Sequence, residues 1–164
     1  MTSSVQSDAF EISSPRQWDL EELLQAARKV KDNAWTPLSR FRVGASVLTS
    51  SGSIYEGCNT ESLIPILSSC AERNALNHAI LHGESSFLAV AVVSDLYGPL
   101  LPCGACLQYM QEFARNDGRD ILIICEGGSG ERYVTSLDEL LKGGFTPDTS
   151  SKVLQQSFGW TGEE

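Results

Sequence analysis

Ser69-Cys70-Ala71-Glu72-Arg73 is answered further along the chain by Pro102-Cys103-Gly104-Ala105-Cys106. Cys103 and Cys106 are three residues apart, so one helical turn sets both sulfurs on one side. Pro102 suits a helix start, where its missing N–H costs nothing. Ser68-Ser69 offer caps for a second helix that carries Cys70. A cysteine at a helix N-terminus ionises readily, because the helix dipole favours the thiolate. Two such helix starts facing one another would gather three thiolates around one cation. Residues two apart in a regular helix point about 200° apart, so Cys70 and Glu72 share a site only at the frayed first turn. Zinc is the cation that fits: it takes thiolates in tetrahedral array, and a catalytic site leaves one position for water. The competing reading is a closed structural zinc whose fourth ligand is His78 or His82. Both lie at least two turns deeper in the same helix, which favours the open site.

The rest of the chain sets bounds on the chemistry. Its 164 residues suit one domain, and 41% hydrophobic residues suit a buried core. No apolar run is long enough to span a membrane. Met1 to Pro15 lacks the basic and apolar blocks of a secretory signal, so a reducing cytoplasmic setting is expected. There, clustered cysteines bind metal rather than pair. The net charge of −9 and the lack of a basic stripe argue against nucleic acid and for a small soluble substrate. The other two cysteines, Cys58 and Cys125, sit in apolar strand-like segments and read as core filling.

Periodicity orders the elements. Leu20, Leu23, Leu24, Ala27 and Val30 share one face of a helix expected over 17–33. Residues 42–49 alternate as a strand, 50–53 form a hairpin turn and 54–58 the return strand. A loop follows from Asn59 to Ile66, interrupted by Pro65. Helix is expected over 70–82, a buried strand over 87–93, and a loop over 95–101 that delivers Pro102. Helix over 103–114 then stops at Gly118. Strands are expected at 121–125 and 132–135. Ser136 and Glu139 stand at capping-box spacing for a short helix ending at Gly143-Gly144. A weakly helical patch lies at 153–158. Residues 1–15 and 149–164 read as tails around one domain at 16–148. Strands alternating with helices imply an α/β sheet covered by helices, and the hairpin makes that sheet mixed.

Further motifs agree with one family. The zinc-dependent base deaminases combine P-C-x-x-C, a third metal ligand and a glutamate that is not a ligand. Trp35-Thr36-Pro37-Leu38-Ser39-Arg40-Phe41-Arg42-Val43-Gly44-Ala45 resembles the P-x-S-x-F-x-V-G-A opening of the cytidine deaminases. Gly57-Cys58-Asn59-Thr60-Glu61 resembles their G-C-N-x-E segment, and Leu140 to Phe145 their closing L-L-x-x-x-F. The resemblance is to the small three-cysteine branch that acts on nucleosides. It implies a three-layer α/β/α fold with a mixed five-stranded sheet. It implies one Zn²⁺ per subunit on Cys70, Cys103 and Cys106, with Glu72 as proton carrier and Arg73 hydrogen-bonded to a thiolate. It implies substrate contacts from Phe41, Asn59, Glu61 and Ala71, with Phe145 lent to a neighbouring subunit of a tetramer or dimer. The implied reaction is hydrolysis of cytidine or deoxycytidine to the uridine and ammonia.

Three positions depart from the family pattern. Ser62 replaces an asparagine, Pro65 a tyrosine, and Leu107 an arginine. All lie near the substrate loop or subunit contacts, so another cytosine nucleoside, such as the antibiotic blasticidin S, or another amino-heterocycle is the alternative substrate. A nucleic-acid editor is opposed by the acidic charge and by Asn59 and Glu61 as sugar contacts. A non-catalytic zinc module is opposed by the presence of Glu72 and the open coordination position.

Overall fold

The computed structural model describes residues 19–114 and 119–144. Both tails, the patch at 153–158, the stop at Gly118 and Phe145 lie outside the described residues. Helix α1 spans Leu20–Lys31, with the Asp19 side chain capping the Glu21 N–H at 2.9 Å. Strands β1 (Val43–Thr49) and β2 (Ile54–Cys58) form the expected hairpin. Then come α2 (Ala71–Leu81), β3 (Phe87–Ser94), α3 (Gly104–Ala114), β4 (Leu122–Glu126), β5 (Arg132–Ser136) and the one-turn α4 (Leu137–Leu140). The Ser136 hydroxyl accepts from the Glu139 N–H, as the capping spacing predicts. Among the described residues no helix is long and apolar enough to cross a membrane.

The five strands make one mixed sheet in the order β2-β1-β3-β4-β5. Only β3 and β4 run parallel; the other neighbours are antiparallel. Alternation sends Val90, Val92, Ile123 and Cys125 to one face, under α2 and α3. Ala89, Ala91, Leu122 and Ile124 face the other way, against Leu23, Leu24 and Ala27 of α1, and Leu88 joins them at the register shift opposite Leu48 and Thr49. The result is the three-layer α/β/α arrangement. Cys125 is fully buried in the core, whereas Cys58 is only half-buried on the edge strand β2.

Two glycines let the helices sit close. A Cβ at Gly44 would lie 2.1 Å from the Ala27 carbonyl of α1, and one at Gly57 2.2 Å from the Ala75 N of α2. Side chains then bind α2 to the edge strand. Asn74 Nδ2 donates to the Cys58 carbonyl at 2.7 Å, and His78 Nδ1 to the Glu56 carbonyl at 2.9 Å. These bonds occupy carbonyls that an edge strand otherwise exposes.

Strand direction is what builds the site. Strands β2 and β3 are each antiparallel to β1, so they run the same way and exit at one end of the sheet. There β2 leads to α2 and β3 leads to α3, bringing two helix N-termini together. Strand β1 enters at that same end, with Gly44 paired to Cys58 and Val43 to Ser94. The exit from β3 is fixed by charge. Asp95 accepts from Lys31 Nζ at 2.7 Å and from Arg42 Nε at 2.9 Å. Burial opposes the Asp95 charge, but these two cations prevail and hold its carboxyl down at about 2. The following loop leans on the β4–β5 turn, where the Gly128 and Ser129 N–H groups donate to the Leu96 and Tyr97 carbonyls at 2.6 and 3.0 Å.

Several boundaries differ from expectation: α1 ends at Lys31 rather than 33, α4 at Leu140 rather than at the Gly143-Gly144 pair, and β4 spans Leu122–Glu126 rather than 121–125. Helix α2 begins at Ala71, and Cys70 is its N-cap with an extended backbone (φ −73°, ψ 153°). The neighbouring serines are therefore not the cap. Residues Pro65–Leu67 form a single 3₁₀ turn where loop was expected, with the proline at its start.

Candidate active site and metal centre

Each helix start carries one cysteine in the same role. The Cys70 carbonyl accepts from the Asn74 N–H at 3.2 Å, and the Cys103 carbonyl from the Leu107 N–H at 3.0 Å. Both thiols therefore stand at N-cap positions, at the positive end of a helix dipole. Cys106 follows one turn into α3 and is fully buried. Cys70 Sγ lies 3.9 Å from Cys103 Sγ, which lies 3.5 Å from Cys106 Sγ, and all three sulfurs fall within 4.8 Å of one another. Thiolates on one tetrahedral zinc, at about 2.3 Å from the metal, stand roughly 3.8 Å apart. The sulfurs are thus already spaced for that ion.

Charge makes the same demand. Hydrogen bonding from Cys106, then from Cys103 and Arg73, lowers the Cys70 thiol to about 5 against the opposing effect of burial. The same contact with Cys70, joined by burial and by Glu72, pushes Cys106 far up. One charge settles easily on the cluster, and further charges need a cation among them. His78 lies on an exposed stretch of α2 and His82 just past its end, both in ring contact with Tyr55, and neither joins the sulfur cluster.

Glu72 and Arg73 frame the sulfurs. Because Cys70 precedes the first helical turn, it is free of the regular 100° rotation per residue that would turn Glu72 away. Glu72 is 5% exposed yet lines the cleft beside Cys70 and Cys103. Burial, and then the Cys70 charge, push its carboxyl up, against its own backbone N–H and Cys106. Burial works against the Arg73 charge, but the hydrogen bond to Cys70 and the field of the three sulfurs outweigh it. The Arg73 guanidinium also donates to the Ser68 carbonyl at 3.3 Å. Its buried Nε has no hydrogen-bond partner among the described residues. An unused donor beside three thiols fits a site in which all three become thiolates.

A cleft of about 300 Å³ opens over this cluster, and Phe41, Asn59, Glu61, Ala71 and Glu72 all line it. Five residues named from the sequence thus line this cleft, joined by Leu100 and Leu101, which the sequence did not single out and which form an apolar wall. No motif flagged that wall, because it depends on how the loop after β3 folds back. The polar side chains are already engaged. Asn59 Nδ2 donates to the Phe41 carbonyl at 3.0 Å, and its Oδ1 accepts from the Val43 N–H at 2.8 Å. Glu61 accepts from the Leu38 and Ser39 N–H groups at 2.9 and 3.1 Å and from the Ser39 hydroxyl.

Residues 17–118 match the family signature described as the cytidine and deoxycytidylate deaminase zinc-binding region. The chain belongs to this family. A cytidine deaminase of Sporosarcina psychrophila is 38% identical over 138 residues, covering 84% of this chain and 99% of that relative. A probable cytidine deaminase of Dictyostelium discoideum is 37% identical over 80% of this chain and 87% of the relative. The crystal structure of a cytidine deaminase from Burkholderia pseudomallei superposes with a TM-score of 0.73 at 36% identity, covering 78% of this chain and all of that one. Zinc is accordingly the cofactor of this deaminase fold, and Cys70, Cys103 and Cys106 are the cluster that suits it.

Arg73→Gln keeps a polar side chain but removes the cation beside the thiolates. It should weaken zinc binding about tenfold or more, read by competition with a chromophoric chelator. Unchanged zinc affinity would show that Arg73 does not support the metal.

Proposed function

We propose that the chain hydrolyses cytidine and deoxycytidine to the corresponding uridines and ammonia. The observation that carries this reading is the buried Glu72 carboxyl beside three sulfurs at zinc spacing, at the floor of a nucleoside-sized cleft. Zinc held by the three thiolates supplies, when bound, Lewis-acid activation of the attacking water. Glu72 does the proton work. It takes one proton of that water to ring N3 while the oxygen bonds to C4. It then moves the second proton to the exocyclic nitrogen as the C4–N bond breaks. Both protons of the water are accounted for, one on uridine N3 and one in the ammonia. The raised Glu72 carboxyl suits this traffic, since a carrier must both accept and return protons.

The walls hold the base and the sugar. Phe41 and the Leu100–Leu101 segment flank the cleft with apolar surface, and Ala71 packs at its floor. Asn59 and Glu61 face the sugar, and the remaining acceptor capacity of Glu61 suits a hydroxyl. Trp35, Leu63, Ile66 and Leu67 are between 62% and 89% exposed close to the cleft mouth. Surface of this kind supports association with further copies, as a tetramer in which Phe145 reaches a neighbour's site. Five cysteines without a disulfide, three of them the zinc thiolates, suit the reducing cytoplasm.

Glu72→Gln should retain zinc and fold yet lose at least 10²–10⁴-fold in kcat for cytidine, followed by ammonia release. In the same assay the wild-type chain should act on cytidine and deoxycytidine and leave cytosine, adenosine, guanine and blasticidin S nearly untouched. Turnover retained by the variant would remove Glu72 from the chemistry, and preference for another member of the panel would overturn the substrate. Light scattering of the purified chain should give a tetramer, and a monomer would contradict the association.

A further inference from the structure

The segment between Pro37 and Phe41 is held in an unusual shape. Arg40 has φ +59°, and no other described residue apart from glycine has a positive φ. A side chain in that left-handed region is disfavoured and persists only where its surroundings over-determine it. The surroundings here centre on Ser39. Its hydroxyl donates to Glu61 Oε1 and accepts from the Phe41 N–H at 2.9 Å. Its own N–H and that of Leu38 bind the other carboxylate oxygen, Glu61 Oε2, at 3.1 and 2.9 Å. The Arg40 N–H closes the turn onto the Thr36 carbonyl at 3.0 Å. Asn59 ties the far side of Phe41 through its backbone carbonyl.

One hydroxyl therefore sits between the two sides of the cleft. Phe41, on the base side, and Glu61, on the sugar side, are each bonded to Ser39. Hydrogen bonding from Ser39 and Leu38 keeps the Glu61 carboxyl below its ordinary value.

We propose that Ser39 is a positioning residue for sugar recognition, aiming the Glu61 carboxylate at a ribose hydroxyl while fixing the backbone of Phe41. It touches no reacting atom. A hydroxyl in this place must both donate and accept, which serine and threonine do and alanine does not. With the hydroxyl gone, Glu61 keeps its two N–H donors on one oxygen, but the other oxygen swings free and no longer presents a fixed acceptor to the sugar. The effect belongs in substrate binding and in discrimination among sugars, and not in the chemical step. The proposal rests on the reading of Glu61 as a sugar contact.

The test measures kcat and KM of the zinc-loaded protein for cytidine and for its 2′-, 3′- and 5′-deoxy analogues. Four proteins are compared: wild type, Glu61→Gln, Ser39→Ala and Ser39→Thr. Loss of one charge-assisted hydrogen bond predicts that Ser39→Ala raises KM for cytidine about tenfold, with kcat within about twofold. The KM ratio between cytidine and the analogue lacking the recognised hydroxyl should collapse toward one, as in Glu61→Gln, and Ser39→Thr should restore it. If Glu61→Gln loses that ratio while Ser39→Ala keeps it, the proposal is overturned and the sugar contact stands. A fall in kcat, zinc content or melting temperature in Ser39→Ala with the sugar ratios intact also overturns it, because that pattern is merely structural. If Glu61→Gln leaves every ratio unchanged, the sugar contact itself falls and the proposal with it.

Discussion

Three thiols within 4.8 Å of one another cannot all ionise in isolation, and that constraint organises the molecule. The sheet brings two helix N-termini to one end because β2 and β3 run in the same direction. Each N-terminus presents a cysteine at its cap, where the helix dipole favours the thiolate. Arg73 adds a full positive charge from α2. These contributions lessen the repulsion without cancelling it, since three thiolates carry more charge than two half-dipoles and one guanidinium offset. A divalent cation completes the balance, and its net charge with three thiolates is −1. The positive groups around such an ion would then govern how strongly it polarises a bound water.

Around this centre the fold is rigid where the chemistry needs precision. The helix carrying Cys70 and Glu72 is pressed onto β2 at Gly57 and bonded to it through Asn74 and His78. The loop carrying Cys103 is pinned at its start by Asp95 and braced at Leu96 and Tyr97 by the β4–β5 turn. A second charge network lies farther away, where Arg28 and Arg132 both bind the nearly buried Glu126 and meet again at Glu21. It fastens α1 to the ends of β4 and β5, on the face away from the cleft. Partly buried, shared and bidentate, this network resists opening better than isolated surface pairs.

Much of this was legible in the chain itself. Apolar runs at 87–93 and 121–125 announce buried strands, the alternation over 42–49 announces a strand that proves buried at every position from 43 to 49, and the hairpin follows from its serine-glycine turn at 50–53. The cysteine spacing announces the metal centre because few other uses place three thiols and a glutamate so close. The exact start of α2 was not legible. A serine is a better cap than a cysteine by propensity, and tertiary placement of the sulfur overrides it. Nor was the engagement of Asn59 and Glu61 with the backbone of residues 38–43, which depends on two loops meeting across the sheet edge. Pairing between residues 28 and 126, or 31 and 95, is equally invisible to local pattern. The 3₁₀ turn after Ile64 was hidden because a single proline signals interruption without saying what replaces the loop.

One centre carries the chemistry: three sulfurs that would hold a metal and leave its fourth side open. Zinc X-ray absorption on the purified, unliganded protein measures that directly. The prediction is one zinc per chain with three sulfurs at about 2.3 Å and one lighter oxygen-type neighbour near 2.0 Å. Four sulfurs, a histidine pattern in the outer shells, or a protein devoid of zinc would contradict it.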